Sequence, residues 1–187
     1  ATLLIPLAIF LILKAPPFLF FLFITATILL GLAEFFSLLR NKNLGCYHHG
    51  GFLAGGLLPL FVYWDKQVLV NLVLYLSIIT LLSSQLLLKT ERFLDKISAV
   101  GNTLLGIFYI SWLLSHFILL YKLPQGRKYI LFVLLVIWIG DTAAYYVGNK
   151  WGRHKLAPHT SPNKTIEGAI ANLIGGILGA FLAREWF

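Results

Sequence analysis

The sequence predicts an all-α protein, a polytopic transmembrane helical bundle with about six to seven membrane segments. Three observations predict it. Of 187 residues, 59% are hydrophobic and only 12% charged, whereas soluble domains carry about half and about a quarter. The mean hydropathy is +0.84. The apolar residues also gather into runs long enough for a helix to cross a hydrocarbon core of about 30 Å, which takes about 20 residues. The same composition excludes a disordered chain and a water-exposed enzyme built on a conventional core.

Each element follows from the order of these runs. Ala1 to Leu13 is apolar, with no basic stretch ahead of it and no small-residue cleavage site behind, so it reads as the tip or remnant of a first membrane segment rather than a signal peptide. Pro16-Pro17 breaks the chain before the first clean span, Phe18 to Leu39. Gly51 to Trp64 is short and Gly-rich: a tilted span, a re-entrant piece or a buried half-helix. Val68 to Leu88, Ile97 to Leu120 and Tyr129 to Gly148 are clean spans. A further one begins near Ala169 and runs to the end of the chain. Residues 1–187 are expected to form a single integral membrane domain. The chain opens on Ala1, contains no Met and stops at Phe187 within an apolar run, so it is expected to be incomplete, above all at its C-terminus.

The net charge of +8 comes from 15 Lys and Arg spread through short loops rather than massed on one face. This argues against nucleic acid and for contact with anionic membrane lipid, with the loop charges reporting topology. If Gly51 to Trp64 spans, nine of these cations fall on one side and six on the other; if not, the split is eight to seven. The segment from Asn149 to Gly168 lies on the richer side either way, which puts it in the cytoplasm. Cys46, the single cysteine, cannot form an internal disulfide.

That segment also holds the chemistry. Residues 149–168 combine four cations, two His, hydroxyls, an amide and one carboxylate. A solvated topology signal would look similar, but two details ask for more. Ser161-Pro162 has the form of a helix start, with Ser as N-cap and Pro at the first helical position. It would aim free N–H groups at a phosphate near Asn163, Lys164 and Thr165. Gly140-Asp141-Thr142 interrupts an apolar helix, and a carboxylate inside a span usually faces a polar cavity or a partner. The plain alternative is an Asp141 hydrated at the interface. Together the two details point to an oxyanion substrate handled at the membrane surface with a divalent metal.

Asp141-Thr-Ala-Ala-Tyr145, Gly148, Gly152, Lys155-Leu156 and Ser161-Pro-Asn-Lys-Thr-Ile-Glu-Gly168 resemble the phosphatidate cytidylyltransferase (CDP-diacylglycerol synthase) family. The match covers roughly Gly140 to Gly168, and the spans before it agree in general character, including Glu34 late in a span. The resemblance implies an enzyme of the bacterial inner (cell) membrane that joins CTP to phosphatidate with Mg²⁺, giving CDP-diacylglycerol and pyrophosphate. It implies Asp141 and Lys164 as catalytic residues and Asp141 as a metal ligand. Lys155, Ser161, Asn163, Thr165 and Glu167 would bind substrate, and a homodimer is implied as well. Such a protein must align two polyanions and stabilise the leaving pyrophosphate, a task for Lys164, hydroxyls and a carboxylate. The family's longer signature, a basic pair, a Lys-Asp, a His-Gly-Gly and a closing Asp-Arg-x-Asp, is not reached before Phe187, so further metal ligands are expected beyond it.

Smaller signals read plainly. His48-His49-Gly50-Gly51 is a loop lead-in rather than a metal site, since no acidic or Cys cluster accompanies it. His154 and His159 read as solvated. Asn163-Lys164-Thr165 is a coincidental glycosylation sequon. Gly175-x-x-x-Gly179 offers a flat face for helix packing or a dimer contact. Trp64, Tyr121 and Trp186 stand near span ends, as an aromatic belt would. Competing functions are a CTP-dependent lipid kinase, a transporter with Asp141 in a broken helix, and a non-catalytic membrane scaffold.

Overall fold

The computed structural model describes residues 4–87, 93–158 and 161–184. The element order is α1 (Leu4–Lys14), α2 (Pro17–Asn41), α3 (His48–Tyr63), α4 (Gln67–Leu87) and α5 (Phe93–Leu105). A π-helical segment (Gly106–Trp112) leads directly into α6 (Leu113–Lys122), followed by α7 (Gly126–Trp151), β1 (Lys155–Ala157), β2 (Ser161–Thr165) and α8 (Ile166–Ala183). Among the described residues, five helices are long and apolar enough to cross a membrane: 17–41, 67–84, 95–122, 126–151 and 166–183. At 11 and 16 residues, α1 and α3 fall short of that length. The chain packs as two compact units, Ala1–Pro124 and Gln125–Phe187.

In the first unit, Pro17 opens α2 at the position where a missing N–H costs nothing, as the double proline predicts. The interior face of α2 is the stripe Phe21, Ile24, Ile28, Leu32, Phe36 and Leu39. Its opposite face is equally apolar yet exposed, with Leu30 at 71% and Leu38 at 58%. A helix apolar all round with one face uncovered is what a lipid-facing span requires. The Gly-rich segment is one continuous helix of 16 residues, and it begins earlier than expected, so His48 and His49 open α3 instead of sitting in a loop. Its glycines are contact points. A Cβ on Gly51 would lie 2.4 Å from Phe36 Cζ, and one on Gly55 2.4 Å from Leu32 Cδ1, so the two glycines receive the stripe of α2. At 1.5 Å per residue α3 is about 24 Å long.

The span 95–122 contains the π segment. Thr103, Ile107, Ser111 and Ser115 advance by four residues, and each is fully buried. On an α-helix a stripe stepping by four drifts about 40° per step. The wider π turns cancel that drift and keep the four residues on one line. Ser111 Oγ donates to Gly55 O at 2.5 Å, while Thr103 Oγ1 accepts from Tyr47 N at 2.8 Å. Tyr121 is buried, stacks on Phe20 at 4.1 Å and donates to Ala15 O, so it belongs to the interior rather than to an aromatic belt. Trp64 is 56% exposed, as that belt expects, whereas Trp186 lies outside the described residues.

The second unit is an antiparallel pair, α7 and α8, joined by a two-stranded hairpin. Its seam is made of small residues. A Cβ on Gly175 would sit 2.7 Å from Ala143 Cβ, one on Gly179 3.0 Å from Ile139 Cδ1, and one on Gly168 3.3 Å from Gly148 Cα. The Gly175/Gly179 face is therefore taken by α7.

Candidate active site

The segment between α7 and α8 is neither a plain loop nor a helix start at Ser161. Helix α7 continues to Trp151, ten residues past Asp141, or about 15 Å along the axis. Asp141 is thus well inside its helix, and it is exposed. After Gly152 the chain forms an antiparallel ladder, with Lys155 opposite Thr165 and Ala157 opposite Ser161. Pro162 is tolerated there because a two-stranded ribbon has only edges, where a missing N–H need not break the ladder. His159 and Thr160 lie outside the described residues.

The true N-cap of α8 is Thr165, whose Oγ1 accepts from Gly168 N at 3.1 Å. Its hydroxyl is held in place by being buried, at 5% exposure. Ile166 N donates to His154 O at 2.9 Å, and Glu167 places a carboxylate in the first turn, complementing the positive end of the helix. The helix terminus expected to cradle a phosphate has therefore moved to Ile166, and much of its donor capacity is used internally. Side chains, rather than that terminus, are left as the candidate partners of an anion.

Those side chains do converge. Asp141, Tyr145, Asn149, Lys155, Asn163, Lys164, Thr165 and Asn172 line one cleft of about 690 Å³, together with the glycines 148, 152 and 168. This is the size of a small-molecule site. Of the seven residues singled out from sequence, Asp141, Lys155, Asn163, Lys164 and Thr165 reach the cleft. Ser161 and Glu167 do not line it. Glu167 is turned to the strand: its Oε1 lies 2.7 Å from His154 Nδ1, and both carboxylate oxygens accept from His154 N at 3.3 Å. That clasp ties the hairpin to α8 while leaving the His154 side chain largely solvated, as expected.

Tyr145, Asn149 and Asn172 line the cleft without having been proposed for the site, and of these Asn172 makes a direct contact with Asp141. Its Nδ2 donates to Asp141 Oδ1 at 3.0 Å. An amide within an apolar helix was the available signal, since such a group needs a partner. Asp141 Oδ2 has no protein partner among the described residues. No group of three or more His, Cys, Asp and Glu suited to a metal occurs among them either. A single carboxylate is compatible with Mg²⁺, which keeps several waters and is commonly held by one or two carboxylates plus substrate phosphates. In the first unit Cys46 Sγ lies 3.5 Å from His48 Nε2, but burial pushes the thiol up, against the opposing charge of Arg40. A protonated thiol is a poor metal ligand.

With two lysines facing one aspartate, the cleft carries a net positive charge beside a membrane span, an arrangement suited to a phosphorylated ligand. The family model described as the cytidylyltransferase family matches residues 1–187. The phosphatidate cytidylyltransferase of Bacillus subtilis (strain 168) is 32% identical over 166 residues, 84% of this chain and 59% of that protein. That of Staphylococcus epidermidis (strain ATCC 35984) is 52% identical over 58 residues, 31% of this chain and 21% of its own. That of Thermotoga maritima is 35% identical over 80 residues, 43% and 29% respectively. The chain thus spans less than two thirds of the curated relatives it matches. No solved structure matches it.

Proposed function

This chain belongs to the cytidylyltransferase family, and on that premise we propose that it carries the substrate cleft of a phosphatidate cytidylyltransferase. In that reaction a phosphate oxygen of phosphatidate attacks the α-phosphorus of CTP. The bond from that phosphorus to the β-phosphate oxygen breaks, releasing pyrophosphate and leaving CDP-diacylglycerol. The observation that supports this reading is the convergence of Asp141, Lys155 and Lys164 on one cleft beside a membrane span.

The chain's own residues orient and neutralise. Lys164 and Lys155 offset the charge of the triphosphate and of the leaving pyrophosphate, the task that dominates phosphoryl-type transfers. Asn163 supplies a neutral hydrogen-bonding group beside them. Thr165 fixes the strand-to-helix corner and so the reach of Lys164. Asp141 offers Oδ2 as the residue that would hold Mg²⁺, which when bound would neutralise phosphate oxygens. Ser161 and Glu167 support the hairpin from outside the cleft. The hairpin faces the cytoplasm in this reading, where CTP is found and where the excess of loop cations is expected; the membrane is the bacterial inner membrane. The homodimer implied by family resemblance gains nothing from the glycine face of α8, which packs on α7.

The test uses membranes containing the complete protein, supplied with CTP labelled at the α-phosphate. Label entering the lipid phase only with both phosphatidate and Mg²⁺ is the expected result. A CTP-dependent lipid kinase would leave that label in water-soluble CDP, and a scaffold or transporter would leave CTP unchanged.

A further inference from the structure

We propose that Asn172 is a positioning residue, which fixes the Asp141 carboxylate so that one oxygen, Oδ2, is presented to the Mg²⁺–nucleotide. The inference rests on the reading of the cleft given above. Asn172 Nδ2 donates to Asp141 Oδ1 across the two helices at 3.0 Å. An ionised carboxylate can only accept, so the amide presents its NH₂ side here.

The backbone is shaped for this contact. A Cβ on Gly140 would lie 3.1 Å from Asn172 O and 3.2 Å from Asn172 Oδ1. Glycine directly before Asp141 lets Asn172 come close enough to reach the carboxylate. Apart from Glu167, Asn172 is the one polar side chain in the eighteen residues of α8. An amide in a membrane helix is costly unless it finds a partner, and this one finds the residue on which the cleft turns. The bond occupies Oδ1 and limits rotation of the carboxylate, so Oδ2 faces the cleft before any ligand arrives. Such preorganisation lowers what binding must otherwise spend on ordering the group.

The test measures CTP binding by the complete, purified protein as a function of Mg²⁺ concentration, with thermal unfolding followed in parallel. For Asn172→Leu, the Mg²⁺ concentration giving half-maximal CTP binding is expected to rise about tenfold, the order set by one hydrogen bond to a charged group. Binding at saturating Mg²⁺ and the melting temperature stay close to the parent's. A merely structural role would weaken CTP binding at every Mg²⁺ level, and that pattern overturns the proposal, as does an unchanged Mg²⁺ requirement. If leucine prevents folding, Asn172→Ala, which only removes atoms, gives the same reading. Asp141→Asn separates the two levels of inference. An unchanged Mg²⁺ requirement in that variant overturns the reading of the cleft itself. A changed one there, with none in Asn172→Leu, overturns only the role of Asn172.

Discussion

Gly152→Ala tests the corner on which the cleft depends. Gly152 has φ −66° and ψ 112°, a conformation open to any residue, so the substitution acts through space and not through backbone strain. The added Cβ would lie 2.2 Å from Gly148 O, 2.6 Å from Thr165 Cγ2 and 2.7 Å from Thr165 Oγ1. Carbon–oxygen contacts normally sit near 3.3 Å or beyond, so a shift of about 1 Å is needed. Neither neighbour yields easily. Gly148 O accepts the last hydrogen bond of α7 from Gly152 N, and Thr165 is buried and caps α8. Overpacking without an escape route costs about 2–3 kcal/mol, the upper part of its usual range. If the hairpin moves instead, Lys155 and Lys164 move with it, and a displacement of about 1 Å can cost on the order of 100-fold in turnover. The assay is thermal unfolding of the purified protein together with CTP binding. Gly152→Ala combined with Thr165→Ser, which removes Cγ2 but keeps the cap, should recover part of the loss. Parent-like melting and binding in Gly152→Ala alone would refute the close approach of the hairpin to α7.

Other outcomes rest on the same geometry. Lys164→Ala and Asp141→Asn are expected to abolish nucleotide transfer in the complete protein while leaving membrane insertion intact; near-normal turnover in either removes that residue from the site. Thr165→Val should destabilise by about 1 kcal/mol through loss of the α8 cap, while Thr165→Ser stays near the parent, as read from melting temperatures. Asp65→Asn breaks the exposed 2.7 Å pair with Lys122 and should change stability by less than about 1 kcal/mol. The Cys46 thiol, pushed up by burial, keeps its proton at a pH where a free cysteine has begun to lose it. Its alkylation should lag behind that of the unfolded protein near pH 8 and catch up as pH rises; equal rates throughout would contradict the burial.

Much of the fold was legible because a bilayer imposes a simple rule on apolar run length. The spans around Phe18, Val68, Ile97 and Tyr129 all appear, with ends displaced by a few residues. The hairpin was not legible, because two local signals competed. Ser161-Pro162 satisfies the chemistry of a helix start, yet cross-strand pairing with Lys155 and Ala157 holds those residues extended. The working cap is Thr165, followed by a carboxylate at Glu167, a combination that is visible in sequence once the Ser-Pro signal is set aside. Five of the seven proposed site residues converge, four from the hairpin and its corner with α8 and Asp141 from the neighbouring helix α7. Ser161 and Glu167 do not: Ser161 stands at the far end of the strand opposite Ala157, and Glu167 is held by His154. Asn172 escaped notice because its meaning depends on the cross-helix distance to Asp141, which no reading along the chain supplies.

The π segment gives this helix an unusual tolerance. A protein spanning a bilayer can seldom change the length of a span without turning every later side chain to a new bearing. Each residue added to or removed from an α-helix rotates the remainder of that helix by about 100°. Between Gly106 and Trp112 the chain already carries more residue per turn than an α-helix needs. Deleting one residue there would restore regular α geometry and preserve the continuity of the span. Because the wider turns absorb the surplus residue, its loss would leave Ser115, Ile118 and Tyr121, all buried in the first unit, close to their present bearing. The segment thus works as a slack turn, the one stretch of this span where a residue can be lost without re-aiming everything that follows.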